Sequence, residues 1–226
     1  LWSAGAVGVI GGAPKCAKSW LALEMAVAVA SGRSCLGRFD VGDVGPVLLF
    51  AAEDAPAQVR QRLEHLAGAR DIDFGTLDVR LIVENALRLD RGDDLGRLRL
   101  TVQAHRPKLL VLDPWVRLQR VDENKASEVS AILGALRTLS RQFALAIALV
   151  HHARKGGAEQ PGQGLRGSSD FHAWGDSNLY VRRRGQQIEL SVEHRAAAAP
   201  PSVALALVAD DGPVRLEVQE LAVGQA

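Results

Sequence analysis

The chain is expected to fold as an α/β domain with a doubly wound, mostly parallel sheet and antiparallel strands at its C-terminal end. Three observations predict this. Compact apolar runs at Val7–Ile10, Val47–Ala51, Lys108–Leu112 and Leu145–Val150 alternate with longer segments of helical periodicity. Strands covered on both faces read as such unbroken runs, and βαβ alternation closes a parallel sheet through right-handed crossovers. The first run leads through a glycine- and proline-bearing turn into a helix, and from Asn178 onward the chain breaks into short strands joined by turns.

The elements follow in order. After Val7–Ile10, the segment Lys18–Ser31 places Leu21, Met25 and Val29 on one helical face, and Gly32 stops it. Val47–Ala51 is a strand, and Pro56–Leu66 a helix with Val59, Leu63 and Leu66 inward. Leu77–Val83 is a third strand candidate and Asp93–His105 a third helix. Lys108–Leu112 is a strand ending at Asp113, and Ser127–Phe143 is an amphipathic helix with Val129, Ile132, Leu133, Leu136 and Leu139 on one side. Leu145–Val150 is the next strand, and a Gly- and Gln-rich stretch follows from Ala153 to Gly167. Asn178–Arg183, Gln187–Glu193, Val203–Val208 and Val214–Val218 then read as short strands, with a turn at Asp211-Gly212-Pro213 and a low-complexity linker at Ala196–Pro201. No internal repeat is present.

The 226 residues suit a single domain spanning 1–226 with a real core. Hydrophobic residues make up 47% and charged residues 23%, with a net charge of +1, so any nucleic-acid surface has to be local. Cys16 and Cys35 make no disulfide framework and have no zinc-type spacing. No apolar run is long enough to span a bilayer. The expected setting is a reducing cytoplasm without a membrane role. The first residue is Leu1 rather than Met, and an upstream segment is expected.

The stretch Gly12-Ala13-Pro14-Lys15-Cys16-Ala17-Lys18-Ser19 carries most chemical information. Strand, turn and helix with Lys-Ser at the helix start is the context of a phosphate-binding loop. The turn aims backbone N–H groups at an anion and the helix N-terminus adds positive potential. Lys18 is placed to reach β/γ-phosphates and the Ser19 hydroxyl to hold Mg²⁺. The pattern calls for glycine just before the lysine, where this chain has Ala17; a Cβ there is penalised if the position needs positive φ. Cys16, close to Lys18 and a helix N-terminus, is expected to have a lowered thiol pKa and to be alkylated unless nucleotide protects it.

Ligands in such sheets bind beyond the carboxyl ends of the strands, so polar residues there are the candidates. Asp113 suits a Mg²⁺-holding carboxylate, or a loop cap. Glu53, followed by Asp54, suits a base for attacking water, or a helix N-terminal acid. His151 and His152 suit a γ-phosphate sensor, or a strand-end cap. Arg166 and Arg182-Arg183-Arg184 suit charge neutralisation of a phosphoryl group, or a solvated edge.

As a set, these motifs resemble the RecA-like AAA-family ATPases related to RepA-type hexameric replicative helicases. The likeness rests on Gly12–Ser19 followed by Trp20–Gly32, on Ala51-Ala52-Glu53-Asp54, Leu109–Asp113 and His151-His152, and on Leu165–Ser169 with Asp176-Ser177 and Arg182-Arg183. It implies ATP and Mg²⁺ as ligands, with Gly12 to Trp20 binding nucleotide and Ser19 and Asp113 binding the metal. Glu53 is then the catalytic glutamate, His152 the sensor with His151 in reserve, and Arg183, or failing it Arg182, a finger delivered to a neighbouring subunit. It further implies a homo-oligomeric, hexameric ring and single-stranded DNA contacts through Arg117, Arg120, Arg154, Lys155 and Arg166, in a DNA-replication motor. A slow nucleotide-gated switch or scaffold without a DNA role is the second reading.

Overall fold

Successive residues of the central strands face opposite ways, and their packing divides accordingly. Val47, Leu49, Leu109 and Val111 belong to one hydrophobic layer, whereas Leu48, Phe50, Leu110 and Leu112 belong to the other. Two covered faces require apolar residues at every strand position, which is why these runs are unbroken. A computed structural model describes residues 1–83, 87–121, 125–152, 170–185, 187–209 and 212–219. The strands are β1 (Val7–Gly12), β2 (Val47–Ala51), β3 (Val79–Leu81), β4 (Leu109–Asp113), β5 (Ala146–His152), β6 (Ser177–Arg184), β7 (Gln187–His194), β8 (Val203–Val208) and β9 (Arg215–Gln219). The helices are α1 (Lys18–Ser31), α2 (Pro56–Gly68), α3 (Gly92–His105), α4 (Ala126–Phe143) and α5 (Asp170–Trp174).

The strands form one 9-stranded sheet in the order β3-β2-β4-β5-β1-β6-β7-β8-β9. Strands β1 to β6 pair in parallel and β6 to β9 pair antiparallel. Helices α1 and α2 cover one face and α3, α4 and α5 the other. Movement along the sheet in one direction on one face and back on the other is the signature of double winding.

Most expected elements stand within a residue or two. Two depart for physical reasons. The Leu77–Val83 candidate shrinks to Val79–Leu81, because Phe74–Thr76 forms a 3₁₀ turn capped by Asp73, whose carboxylate accepts from Gly75 N at 2.9 Å. Helix α1 is buried around almost its whole circumference rather than on the one face predicted by Leu21, Met25 and Val29. The segment after it folds back, with Leu36 N donating to Glu24 Oε1 at 2.7 Å and Gly45 N to Val29 O at 3.1 Å. Helix α5 has no counterpart in the sequence reading: its five residues are too few to display a period, yet Phe171 and Trp174 are both buried.

Candidate nucleotide-binding site

Register alone brings the site together. Ala51 pairs with Asp113, Gly12 with His152, and Gly12 with Val181 on its other side. The carboxyl ends of β1, β2, β4, β5 and β6 therefore open on one edge of the sheet. A cavity of about 380 Å³ lies there, lined by Pro14 to Trp20, Glu53, Asp54, Arg62, Asp113, His152 and Arg183 among others. Gly12 and Ala13 sit behind the lining. Gly12 is needed for close approach, since a Cβ there would lie 2.2 Å from the Val181 carbonyl oxygen and 2.8 Å from Cys16 Sγ.

The loop itself is tightly wound. Lys15 has φ 62° and Ala17 φ 69°, both left-handed. Position 17 thus demands the conformation that glycine adopts without cost, and an alanine there loses roughly 1–2 kcal/mol. Helix α1 begins without a side-chain cap, so its first-turn N–H groups have no intrahelical acceptor and point at the cavity edge. Lys18 is buried, and its Nζ donates to Ala13 O at 2.7 Å with Cys16 Sγ 3.8 Å away. Burial pulls the Lys18 ammonium below its ordinary pKa, while the Cys16 thiol, Asp113 and Glu53 push it back up.

The expectation for Cys16 is overturned. Its side chain is buried, its thiol donates to Ala13 O at 2.9 Å, and desolvation raises its pKa more than neighbouring Lys18 lowers it. Cys16 fills the inside of the turn as a small apolar residue and is not an activated thiol.

Asp113 ends β4 next to Ser19, whose hydroxyl donates to it. Desolvation pushes the Asp113 carboxyl up to about 6; the Ser19 hydrogen bond and Lys18 oppose this, and Asp54 and Glu53 add to it. Among the described residues no cluster of three or more His, Cys, Asp or Glu side chains forms a metal cage. Mg²⁺ does not require one, because it is held by one or two oxygen ligands together with phosphates and water. A hydroxyl on a carboxylate, with two further carboxylates near, is a hard-oxygen set that fits such an ion.

The remaining site residues are positioned by contacts that spacing did not reveal. Glu53 is exposed and accepts from Arg117 Nε at 3.3 Å, so Arg117 faces the cavity's carboxylate rather than standing apart in the loop after β4. Asp54 accepts from both terminal nitrogens of Arg62, at 2.6 and 3.2 Å. His152 lines the cavity, whereas His151 points through the sheet to the other face. There it stacks on Phe171 with ring centroids 4.4 Å apart, and Phe171 meets Trp115 edge-on at 5.0 Å. Strand alternation therefore separates the two histidines, and only His152 has access to a phosphate.

Arg183 lies in its own chain's cavity, where Nη1 donates to Lys15 O at 3.3 Å. This corrects its expected delivery to a neighbouring subunit: β6 runs parallel beside β1, so the residue two beyond the Gly12–Val181 pair overhangs the loop of the same chain. Arg182, one step along the strand, is exposed and directed to the opposite face of the sheet. Arg120 is exposed and its backbone N donates to Asp90 at 3.3 Å. Arg154, Lys155 and Arg166 lie outside the described residues. Arg62 escapes sequence reasoning because a cation in an amphipathic helix reads as a solvated position; its pairing with Asp54, eight residues earlier, was the available signal.

Among the described residues no helix is long and apolar enough to cross a membrane. Similar folds occur among solved structures. An ATPase domain solved as a separate structure superposes with a TM-score of 0.69 at 16% identity, covering 92% of this chain and 83% of that one. A DnaB-like replicative helicase, solved to describe its interactions with primase, gives 0.70 at 17% identity, and the match covers 95% of this chain but 58% of the helicase. The RadB recombinase gives 0.67 at 15% identity, covering 96% and 93%. These likenesses establish a RecA-like fold. The AAA domain model AAA_25 matches residues 1–158, and with the phosphate loop, Asp113 and the strand order in the places such a domain needs them, the chain belongs to the AAA_25 family of P-loop AAA domains.

Proposed function

We propose that the protein binds ATP with Mg²⁺ and hydrolyses it, as the nucleotide-driven part of a ring-forming, DNA-associated motor. The observation that carries this is the convergence of Lys18, Ser19, Asp113, Glu53 and Arg183 on one cavity at the carboxyl edge of the sheet. Lys18 and the first-turn amides of α1 bind the β- and γ-phosphates. Ser19 and Asp113 hold Mg²⁺, which supplies charge neutralisation across the β- and γ-oxygens when bound. Glu53 orients the attacking water and takes its proton as the new P–O bond forms and the bond to the β-phosphate oxygen breaks, leaving ADP and phosphate. Arg183 adds positive charge in cis at the rim, and His152 contacts the γ-phosphate. The DNA role draws on the DnaB-like helicase among the structural neighbours and on Arg117 and Arg120 beside the site.

Two features favour the second reading, a slow nucleotide-gated switch or scaffold without a DNA role. Ala17 strains the loop, and Arg117 holds the carboxylate that has to receive the proton. The deciding experiment is ATP turnover by purified protein with and without single-stranded DNA, beside Lys18→Ala and Glu53→Gln. Turnover that DNA stimulates and both substitutions abolish supports the motor. MgATP binding with negligible turnover in either condition supports the switch. Absence of MgATP binding rejects both.

A further inference from the structure

A second cavity, of about 250 Å³, adjoins the phosphate site and shares Trp20 and Arg62 with it. Its other walls are Gln58, Gln61 and His65 of α2 and Val214 at the start of β9. Two flat surfaces meet at the shared wall: the Arg62 guanidinium lies over the Trp20 indole, 5.5 Å from the ring centroid. Asp54 grips that guanidinium by both terminal nitrogens, so its plane is fixed before any ligand arrives. The far wall is fixed too, because Val214 N donates to His65 Nδ1 at 2.8 Å. A neutral imidazole that accepts at Nδ1 carries its proton on Nε2, which makes His65 a donor of defined polarity. Gln58 and Gln61 add amides that can donate and accept. A phosphate chain seated on Lys18 leaves its organic end at Trp20, the residue after Ser19, and hence at this cavity.

Resting on the reading of the first cavity as a nucleoside triphosphate site, we propose that the second receives the nucleobase. The base stacks against the Trp20–Arg62 pair, Val214 closes over it, and the polar edges of Gln61 and His65 meet its ring nitrogens and exocyclic group. Trp20 and Arg62 then distinguish a nucleotide from a bare polyphosphate, a task that Lys18 and Ser19 cannot perform. Every base has a π-face, so stacking on Trp20 supplies affinity without regard to which base is presented. Any choice among bases falls to Gln61 and His65.

The test compares MgATP with magnesium tripolyphosphate by titration calorimetry on the wild-type chain, Trp20→Ala, Trp20→Phe and Gln61→Ala. Wild type is expected to bind ATP more tightly than tripolyphosphate. Trp20→Ala is expected to weaken ATP about tenfold while leaving tripolyphosphate unchanged, and Trp20→Phe to restore most of the loss. Gln61→Ala is expected to weaken ATP severalfold with the same selectivity. Equal affinity of wild type for ATP and tripolyphosphate, which requires no variant to fold, overturns the base site and leaves the triphosphate reading intact. Loss of both ligands in parallel on substitution of Trp20 also overturns it. Failure of wild type to bind either ligand rejects the triphosphate reading, and the base site with it.

Discussion

Helix α1 buries two ionisable side chains, Lys18 in its first turn and Glu24 in its middle, and surrounds them differently. Glu24 is fully shielded and closed off: Arg70 pairs with it, Leu36 N donates to it, and Arg70 is itself anchored on Ser34 O at 2.7 Å. Lys18 is met by a carbonyl oxygen and a thiol, and Asp113 and Glu53 act on it from further off, across the cavity. The first arrangement is complete within the chain and ties α1 to the segments around 34–36 and 70. The second is incomplete until an anion arrives. A buried charge with its partners in place is architecture; one left facing a cavity with a surplus of carboxylates nearby is a binding site.

That contrast can be broken at its structural end first. Arg70→Met strands the Glu24 carboxylate, and the expected cost is about 3–5 kcal/mol of folding stability, read as a fall in the urea midpoint. Next is Asp113, whose folded pKa of about 6 lies above the value for an unfolded aspartate. The native state therefore holds the proton more tightly, so this group favours folding below its unfolded pKa and loses that contribution as pH rises through about 6. Wild type minus Asp113→Asn stability should then change by on the order of 2–3 kcal/mol between pH 8 and pH 4, measured without nucleotide. At the ligand end, Lys18→Met should remove MgATP binding yet leave stability unchanged or raise it by roughly 1–2 kcal/mol. A destabilised Lys18→Met would place Lys18 with Glu24 as architecture. The smallest expected effect is Ala17→Gly, which relieves the left-handed alanine and should gain about 1 kcal/mol by denaturant titration.

Much of this was legible because strands buried on both faces leave an apolar run that nothing else in the chain imitates. The ends of those runs pointed to Asp113, Glu53 and His152, and the three do line one cavity. What spacing could not convey was lateral order. That β6 lies against β1 decides that Arg183 overhangs its own loop, and sequence neighbours carry no record of strand neighbours. Nor could charge type convey direction: Arg62 and Arg117 look like solvated cations, yet each turns to a carboxylate of the cavity. Cys16 is misjudged from sequence because a helix terminus and a lysine suggest an activated thiol only when water reaches the sulfur. Helix α5 is invisible without the aromatic contacts of Phe171 to Trp115 and His151.

The opposed histidines at the end of β5 make that strand a fixed-phase element. Deleting or inserting one residue between Ala146 and Val150 would exchange the two imidazoles across the sheet. The aromatic stack with Phe171 would lose its ring while the nucleotide cavity gained the wrong one. Length changes elsewhere, such as in the linker at 196–201, shift no such pair. The strand is therefore expected to tolerate substitutions of side-chain size far better than any change of count.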